Sequence, residues 1–330
     1  MKNLIGFALL VVAFFAATPI ANAQQDPTFT KYIFNGLIYN PAVAGSEDYM
    51  VVTALHRQQW AGVDGGPQTT SLTVHSPVFN KKVALGLTLF KDAIGPTDQI
   101  SLTTSYAYRV KIGQGKLAVG MSAGILNWRS NWTKLVAKDA ADPAFTTDSQ
   151  PNYWLPNVGA GLLYQHPSFF AGFSVPHILE FDLGDKGITN NMIARQYRHY
   201  LVTAGTNFYI NPRLQFKPYI VLKSVGWFEK QQPNGVNAPS TLDIDLSLLF
   251  SERTQLGAAY RTAVASTTKM SNGDSFDVWA TYKLQNGLKF GASYDFPLST
   301  IGKAGGGAFQ VLVSYGFRRE IANIEPPRIF

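Results

Sequence analysis

Apolar and polar side chains alternate along most of this chain, in segments of about ten residues. The alternation is clearest over residues 308–319, whose apolar face consists of Phe309, Val311, Val313, Tyr315 and Phe317. The positions between them are mostly polar or small. A period of two is typical of β-strands that have one apolar face.

We count about fourteen such segments, separated by turn residues. They cover residues 50–60, 70–78, 83–92, 100–112, 116–129, 157–166, 169–178, 199–210, 214–226, 241–252, 254–262, 274–285, 288–298 and 308–319. The pattern predicts an all-β chain of antiparallel strands. A soluble β-sandwich would also alternate in this way, so the connections between the segments have to distinguish the two folds.

The connections are short and long in turn. Short links, such as residues 113–115 and 286–287, follow the even-numbered segments, and long ones, such as residues 130–156 and 179–198, follow the odd-numbered segments. Outer-membrane barrels have short periplasmic turns and longer external loops. We therefore predict a transmembrane antiparallel β-barrel of about fourteen strands over residues 50–319. An even strand number would place both termini in the periplasm.

The N-terminus has the order of a secretory signal peptide. Lys2 precedes an apolar run over residues 4–17, and the small residues Ala21 and Ala23 follow. We predict a signal peptide over residues 1–23, and an apolar run this short does not predict a retained membrane helix.

Residues 24–49 form an N-terminal segment that is too long for a simple lead into the first strand. Its aromatic and turn residues predict a structured piece that packs inside the lumen or caps its periplasmic mouth. The candidate residues are Tyr32, Phe34, Asn35, Asn40, Pro41 and Gly45. Residues 320–330 form a periplasmic tail, in which Pro326-Pro327 precedes Arg328, Ile329 and Phe330. This tail is either a disordered end or a docking peptide.

Composition agrees with a membrane barrel. Charged residues make up 15% of the chain, against about a quarter in typical soluble domains. The 29 glycines, 15 tyrosines and 22 phenylalanines suit a barrel with an apolar band and aromatic girdles. The absence of cysteine excludes disulfides and a lipoprotein anchor. The net charge of +7 is scattered, which favours contact with anionic lipid headgroups and not with nucleic acid.

No motif points to catalysis, a cofactor or a metal ion. The five histidines are scattered, and no HExxH, GxSxG, P-loop or dinucleotide signature is present. We therefore predict that the protein is not an enzyme. Charged residues at inward positions either line a solute channel or pair within a polar lumen, and we expect pairing. They are Arg109, Lys217, Lys223, Asp243, Asp245, Arg261, Asp277, Lys283, Lys289, Asp295 and Arg318.

Several motifs resemble those of the PorP/SprF family of outer-membrane proteins, which is associated with the type IX secretion system and gliding motility of Bacteroidota. The N-terminal motif comprises residues 25–27, 31–35 and 40–45. The first-hairpin motif reads His56-Arg57-Gln58-Gln59-Trp60-Ala61-Gly62, followed by Gly66-Pro67-Gln68-Thr69 and later by His75-Ser76-Pro77. The ending Arg328-Ile329-Phe330 is similar to the usual terminus of the family.

This resemblance implies a barrel that works through protein contacts. The implied partners are the periplasmic lipoprotein ring of the secretion machinery, a large secreted surface protein such as an adhesin, or both. The candidate contact residues add Arg57, Gln59, Trp60 and Pro67 of the first hairpin and Arg328 and Phe330 of the tail to those of the N-terminal segment. The alternative is a passive or hydrophobic-solute transporter, because fourteen strands with an N-terminal plug also resemble the fatty-acid transporter architecture.

Overall fold

The computed structural model describes most of the chain. The described residues are 32–78, 81–131, 152–183, 194–196, 198–225, 240–264, 273–298 and 306–317. The predicted signal peptide of residues 1–23 and the predicted tail of residues 320–330 lie outside them. The boundaries that we expect for these two segments stay predictions.

Three short 3-10 turns precede the strands, at Tyr32–Phe34, Gly36–Ile38 and Pro41–Val43. The strands in chain order are β1 Met50–Gln59, β2 Gln68–Val78, β3 Val83–Ile94, β4 Thr97–Ile112, β5 Gly115–Ser130, β6 Asn152–Gln165, β7 Phe169–Val175, β8 Phe181–Leu183, β9 Ala194–Gln196, β10 His199–Thr206, β11 Phe208–Asn211, β12 Leu214–Val225, β13 Ser240–Phe250, β14 Thr254–Val264, β15 Gly273–Lys283, β16 Leu288–Pro297 and β17 Ala308–Phe317. Among the described residues, no helix is long and apolar enough to cross a membrane.

The strands form one closed antiparallel barrel. Strands β1 to β7 pair in chain order, β12 to β17 do the same, and β17 pairs with β1. The remaining seam is closed by β10, which pairs with both β7 and β12. Strands β10 and β11 are separated only at Asn207 and both lie against β12, so together they count as one of fourteen barrel strands. The predicted fold class is confirmed. Strands β8 and β9 form a separate two-stranded sheet.

The outer face of the barrel is apolar, as the alternation predicts. On β3, the side chains of Leu85, Leu87 and Leu89 are 43–51% exposed, whereas Ala84 and Thr88 on the inner face are buried. In a bilayer, hydrocarbon solvates the outer side chains, and a closed ladder pairs the backbone groups that water cannot reach. The packed core of this protein therefore lies inside the barrel.

The short connections lie together at one end, which we call the tight-turn end. They are residues 79–82, 113–114, 166–168, 212–213, 251–253 and 284–287. Strand β1 begins and β17 ends there, because Met50 pairs with Phe317. The longer connections lie at the opposite, long-loop end, with one exception: β3 and β4 are joined there by Gly95 and Pro96 alone, where the sequence pattern predicts a long loop. We expect the tight-turn end to face the periplasm, and this orientation stays a prediction.

Some inward charges pair, as expected for a polar lumen. Arg261 donates to both carboxylate oxygens of Asp243, and both distances are 2.7 Å. Arg57 on β1 donates to Asp295 on β16 over 2.8 Å. All four side chains are buried. These ion pairs join neighbouring or nearby strands on the inner face of the wall.

Replacing Arg261 with leucine is expected to destabilise the barrel strongly, because the buried carboxylate of Asp243 loses both charge-assisted hydrogen bonds. We expect the free energy of unfolding to fall by about 3–5 kcal/mol, measured by urea titration of tryptophan fluorescence in lipid vesicles. The control is Arg129→Gln, which removes an exposed contact with Asp98 at 3.8 Å and is expected to cost less than about 1 kcal/mol. Equal losses in the two variants would contradict the importance of burial.

Candidate functional site

The segment before β1 lies inside the barrel, and we call residues 32–46 the plug. Its third turn, Pro41–Val43, lies against β4, β5 and β6. The ring of Phe34 packs against residues of β1, β15 and β17, namely Leu55, Trp279 and Leu312. On another side of the lumen, Tyr32 packs against Leu201 of β10 and Val221 of β12. The plug therefore spans the lumen and contacts the wall on several sides.

Aromatic contacts hold the first turn of the plug. The rings of Phe34 and Trp279 meet edge to face, with centroids 5.4 Å apart and planes at 87°. The indole N–H of Trp279 donates to Asp245 over 2.9 Å, which orients the indole for this contact. The rings of Tyr32 and Tyr39 lie 4.5 Å apart. An edge-to-face pair contributes about 0.5–1.5 kcal/mol beyond the burial of its area.

Two buried asparagines connect the plug to the wall. The side chain of Asn40 accepts a hydrogen bond from the backbone N–H of Ala42 over 2.9 Å, which caps the turn that begins at Pro41. Its amide nitrogen donates to the carbonyl of Leu162 on β6 over 3.0 Å. Asn35 accepts from the hydroxyl of Thr73 on β2 over 3.0 Å. Asn40 therefore both shapes the third turn and attaches it to the barrel.

Glycines on the inner face let the plug backbone approach the wall. A Cβ atom at Gly120 on β5 would lie 2.2 Å from the backbone nitrogen of Ala42. A Cβ atom at Gly161 on β6 would lie 2.1 Å from Oδ1 of Asn40. Real Cβ atoms do not approach other heavy atoms so closely, so a larger residue at Gly120 would displace the third turn, and one at Gly161 would displace the side chain of Asn40 that caps it.

Arg109 on β4 clamps the end of the plug. One guanidinium nitrogen donates to the carbonyl oxygens of Ala42, over 2.9 Å, and of Ala44. The other terminal nitrogen donates to the side chain of Gln165 over 3.1 Å. The next residue, Gly45, has a φ of +65°, which favours glycine, and its N–H donates to Nδ1 of His75 over 3.1 Å. The chain is thus held as it turns toward β1.

The first-hairpin candidates lie at the long-loop end of β1 and β2. Gln59 is the last residue of β1, and its N–H donates to the carbonyl of Pro67 over 2.8 Å. Trp60 has a φ of +50°, is 36% exposed, and donates its backbone N–H to Gly307 over 3.1 Å. Arg57, by contrast, is buried in its ion pair with Asp295. Of the four hairpin candidates, Trp60 presents the most exposed side chain to a partner.

The structure brings the candidates of the N-terminal segment together within the lumen. Tyr32, Phe34, Asn35, Asn40, Pro41 and Gly45 are all buried. Their contacts are with the barrel, and a role in binding another protein stays a prediction for them, as it does for the hairpin. Arg328 and Phe330 lie outside the described residues. Within the described part of the chain, no cluster of His, Asp or Glu side chains has the arrangement of a metal site.

Two residues of the plug site were not predicted from the sequence. Arg109 was placed among the inward charges without being assigned to the plug, and Gly120, which lies directly opposite Gly161 of β6, was not singled out. A signal was present, because both glycines occupy inward positions of neighbouring strands, β5 and β6. Two adjacent positions without side chains indicate a place where another backbone approaches the sheet.

Replacing Gly120 with leucine is expected to displace the plug, because the new side chain would occupy the position of Ala42. We expect the ion conductance of the purified barrel in planar bilayers to rise severalfold above that of the wild type. The matched control is Ala123→Leu on the same strand, at an exposed position of the outer face. Unchanged conductance of the Gly120 variant, or an equal rise in the control, would contradict this assignment of the plug.

The solved structures compared below have a similar fold and are outer-membrane proteins or transporters. The toluene transporter TbuX of Ralstonia pickettii is 12% identical, with a TM-score of 0.50 over 85% of this chain and 92% of that chain. A FadL homologue of Pseudomonas aeruginosa is 14% identical, with a TM-score of 0.48 over 90% and 96%. Omp33 of Acinetobacter baumannii is 8% identical, with a TM-score of 0.47 over 83% and 100%. At such identities the likeness concerns the fold alone.

Family membership is clearer than these structural likenesses. No curated protein matches the sequence. The sequence model described as type IX secretion system membrane protein PorP/SprF matches residues 21–315, which is nearly the whole chain and runs from before the plug into the last strand, β17. The resemblance that the N-terminal and first-hairpin motifs indicate is thereby confirmed. This chain belongs to the PorP/SprF family of type IX secretion system membrane proteins.

Proposed function

We propose that this barrel supports the export or surface attachment of a large cell-surface protein, of the adhesin type, through protein contacts within the type IX system. The observation that carries the proposal is the match of residues 21–315 to the type IX secretion system membrane protein family. The plug, which spans the lumen and is held by Arg109, Asn40 and Phe34, is compatible with a membrane-fixed binding platform.

The two ends of the barrel offer different surfaces for such contacts. The tight-turn end carries the start of β1 and the end of β17 close together, and we assign it to the periplasmic lipoprotein ring. The tail with Arg328 and Phe330 follows β17 in the sequence, and we assign it to the same partner. The long-loop end carries Trp60, and we assign it to the exported protein.

Solute transport is the competing function. It requires a continuous path through the lumen, and the plug obstructs such a path where Gly120 lies against its backbone and Gly161 against the side chain of Asn40. A transporter would have to release these contacts in each cycle. Solute transport is therefore incompatible with a plug that stays in place, whereas export or attachment through protein contacts is compatible with it.

Deletion of the gene is expected to abolish surface display of a specific large protein in the native bacterium. Display is measured by surface proteolysis and quantitative mass spectrometry of whole cells. Complementation with the wild-type gene is the control. Normal display in the deletion strain, combined with uptake of a hydrophobic solute by liposomes that contain the purified wild-type barrel, would overturn the proposal in favour of transport.

Replacing Trp60 with glycine is expected to weaken capture of the exported partner without changing the stability of the barrel. Glycine tolerates the φ of +50° at this position, so the loop keeps its course while the indole is removed. A tryptophan at the centre of an interface contributes about 2 kcal/mol, or roughly 30-fold in affinity.

The readout for the Trp60 variant is the amount of partner that copurifies from native membranes, with the urea midpoint measured in parallel. The control is Val63→Gly, at another exposed position of the same loop. Full copurification by Trp60→Gly would remove Trp60 from the proposed contact surface.

A further inference from the structure

Three lysines on the inner face differ from the paired charges of the lumen. Lys283 ends β15, and Lys289 lies directly opposite it on β16. Lys217 of β12 is close enough to Lys289 to repel it, whereas the carboxylate of Glu47, which lines the cavity described below, attracts Lys289. Like charges directly opposite each other in an antiparallel pair are destabilising. The ammonium groups of Lys283 and Lys217 therefore repel that of Lys289 in the folded barrel.

Within the described residues, none of these three ammonium groups has a hydrogen-bond or ion-pair partner. Elsewhere in the lumen, the guanidinium groups of Arg57 and Arg261 are neutralised by carboxylates. At the same end of the barrel, Lys81 and Lys116 both lie near Asp48, at 3.3 and 3.9 Å. The three inward lysines thus have an unmet capacity to bind anions.

Two of the three lysines border a cavity between the plug and the tight-turn end. Its volume is about 450 Å³, and Lys283 and Lys289 line it. Lys217 lies on the inner face together with Tyr219, which also lines the cavity. The rim includes the exposed turn residues Glu252 and Arg253. We call this cavity, together with the neighbouring Lys217, the basic cup, and it opens toward the tight-turn end.

The other walls of the basic cup are mixed. Phe34, Val51 and Phe170 provide apolar surface, and Thr53, Thr203 and Gln255 provide hydroxyl and amide groups. A volume of roughly 300–1,000 Å³ is typical of sites for drug-sized ligands. The cup therefore has room for more than a single small anion.

We propose that the basic cup binds an acidic peptide segment of another component of the secretion machinery. The lysines would pair with its carboxylates, the apolar wall would receive a hydrophobic side chain, and the hydroxyl and amide groups would bind its backbone. A fatty acid would match the charge and the apolar wall but would leave the polar groups of the wall unpaired, which is costly. This inference rests on the platform function proposed above and names the chemistry of one partner.

The test uses the full chain in lipid nanodiscs and a dye-labelled probe, the peptide Glu-Glu-Phe-Glu-Glu. Fluorescence anisotropy at low salt is expected to show affinity at least about tenfold higher for this probe than for Gln-Gln-Phe-Gln-Gln, because electrostatic complementarity is strongest at low ionic strength. The triple variant K217Q/K283Q/K289Q is expected to lose at least about tenfold in affinity.

The matched control is K82Q/K111Q/K116Q, which removes the same number of charges from exposed positions at the same end. It is expected to keep the affinity of the wild type within about threefold, because exposed charges are screened. Urea unfolding verifies that both triple variants are folded. Equal losses in the two variants would overturn the proposal, because attraction would then be nonspecific.

Competition distinguishes an acidic peptide from other anions. Inorganic phosphate or laurate that displaces the probe as effectively as unlabelled Glu-Glu-Phe-Glu-Glu would overturn the assignment to a peptide. If a peptide made from residues 318–330 displaces the probe as effectively, the ligand of the cup is the tail of this chain and not an external partner, which would overturn the proposal. Because these measurements use purified protein, their failure is separable from a failure of surface display in cells.

Because the chain has no cysteine, a single engineered thiol can report on the cup. Lys289→Cys is expected to react with a membrane-impermeant thiol reagent more slowly, by at least about fivefold, when the probe peptide is bound. Lys111→Cys at the exposed position is expected to react at the same rate with and without peptide. Equal rates for Lys289→Cys would place the peptide outside the cup and contradict the proposal.

Discussion

A strand that crosses a lipid bilayer must find partners for all its backbone N–H and C=O groups, because hydrocarbon offers no water. Here the requirement is met by a ladder that returns to its start, with β17 on β1 and β10 bridging β7 and β12. Closure defines an inside and an outside for every strand. The apolar outer face, the buried charges and the space for the plug all follow from it.

The lumen contains the packed core of this protein, because the outer face of the barrel contacts lipid. Its apolar clusters form around plug residues such as Phe34 and Tyr32, and its polar groups are joined in short-range pairs such as that of Arg261 with Asp243. The plug thus supplies hydrophobic packing that the polar wall alone lacks. The tight-turn side of the plug differs, because there Lys217, Lys283 and Lys289 form no close ion pair, although Glu47 and Glu252 also line the cavity.

Much of the fold was predictable because its signals are local. Alternation within a strand and the lengths of the connections depend on neighbouring residues, so the strand number and the two faces could be predicted from sequence. The break at Asn207 and the small sheet of β8 and β9 were not predicted, since neither has a strong periodic signal. The charge pairs could not be predicted from the sequence either. Arg57 and Asp295 are 238 residues apart, and they meet only through the register of the closed barrel. The role of Arg109 depends on the same geometry.

The hydrogen bond from Asn40 to Leu162 also bears on the order of assembly. It joins residues 122 positions apart, and its acceptor exists in the right place only after β6 has joined the sheet. The same holds for Gly161, which receives the side chain of Asn40. The plug therefore cannot reach its final position at the start of folding, although it precedes all strands in the chain. The third turn of the plug is thus seated only once β4, β5 and β6, against which it lies, have come together.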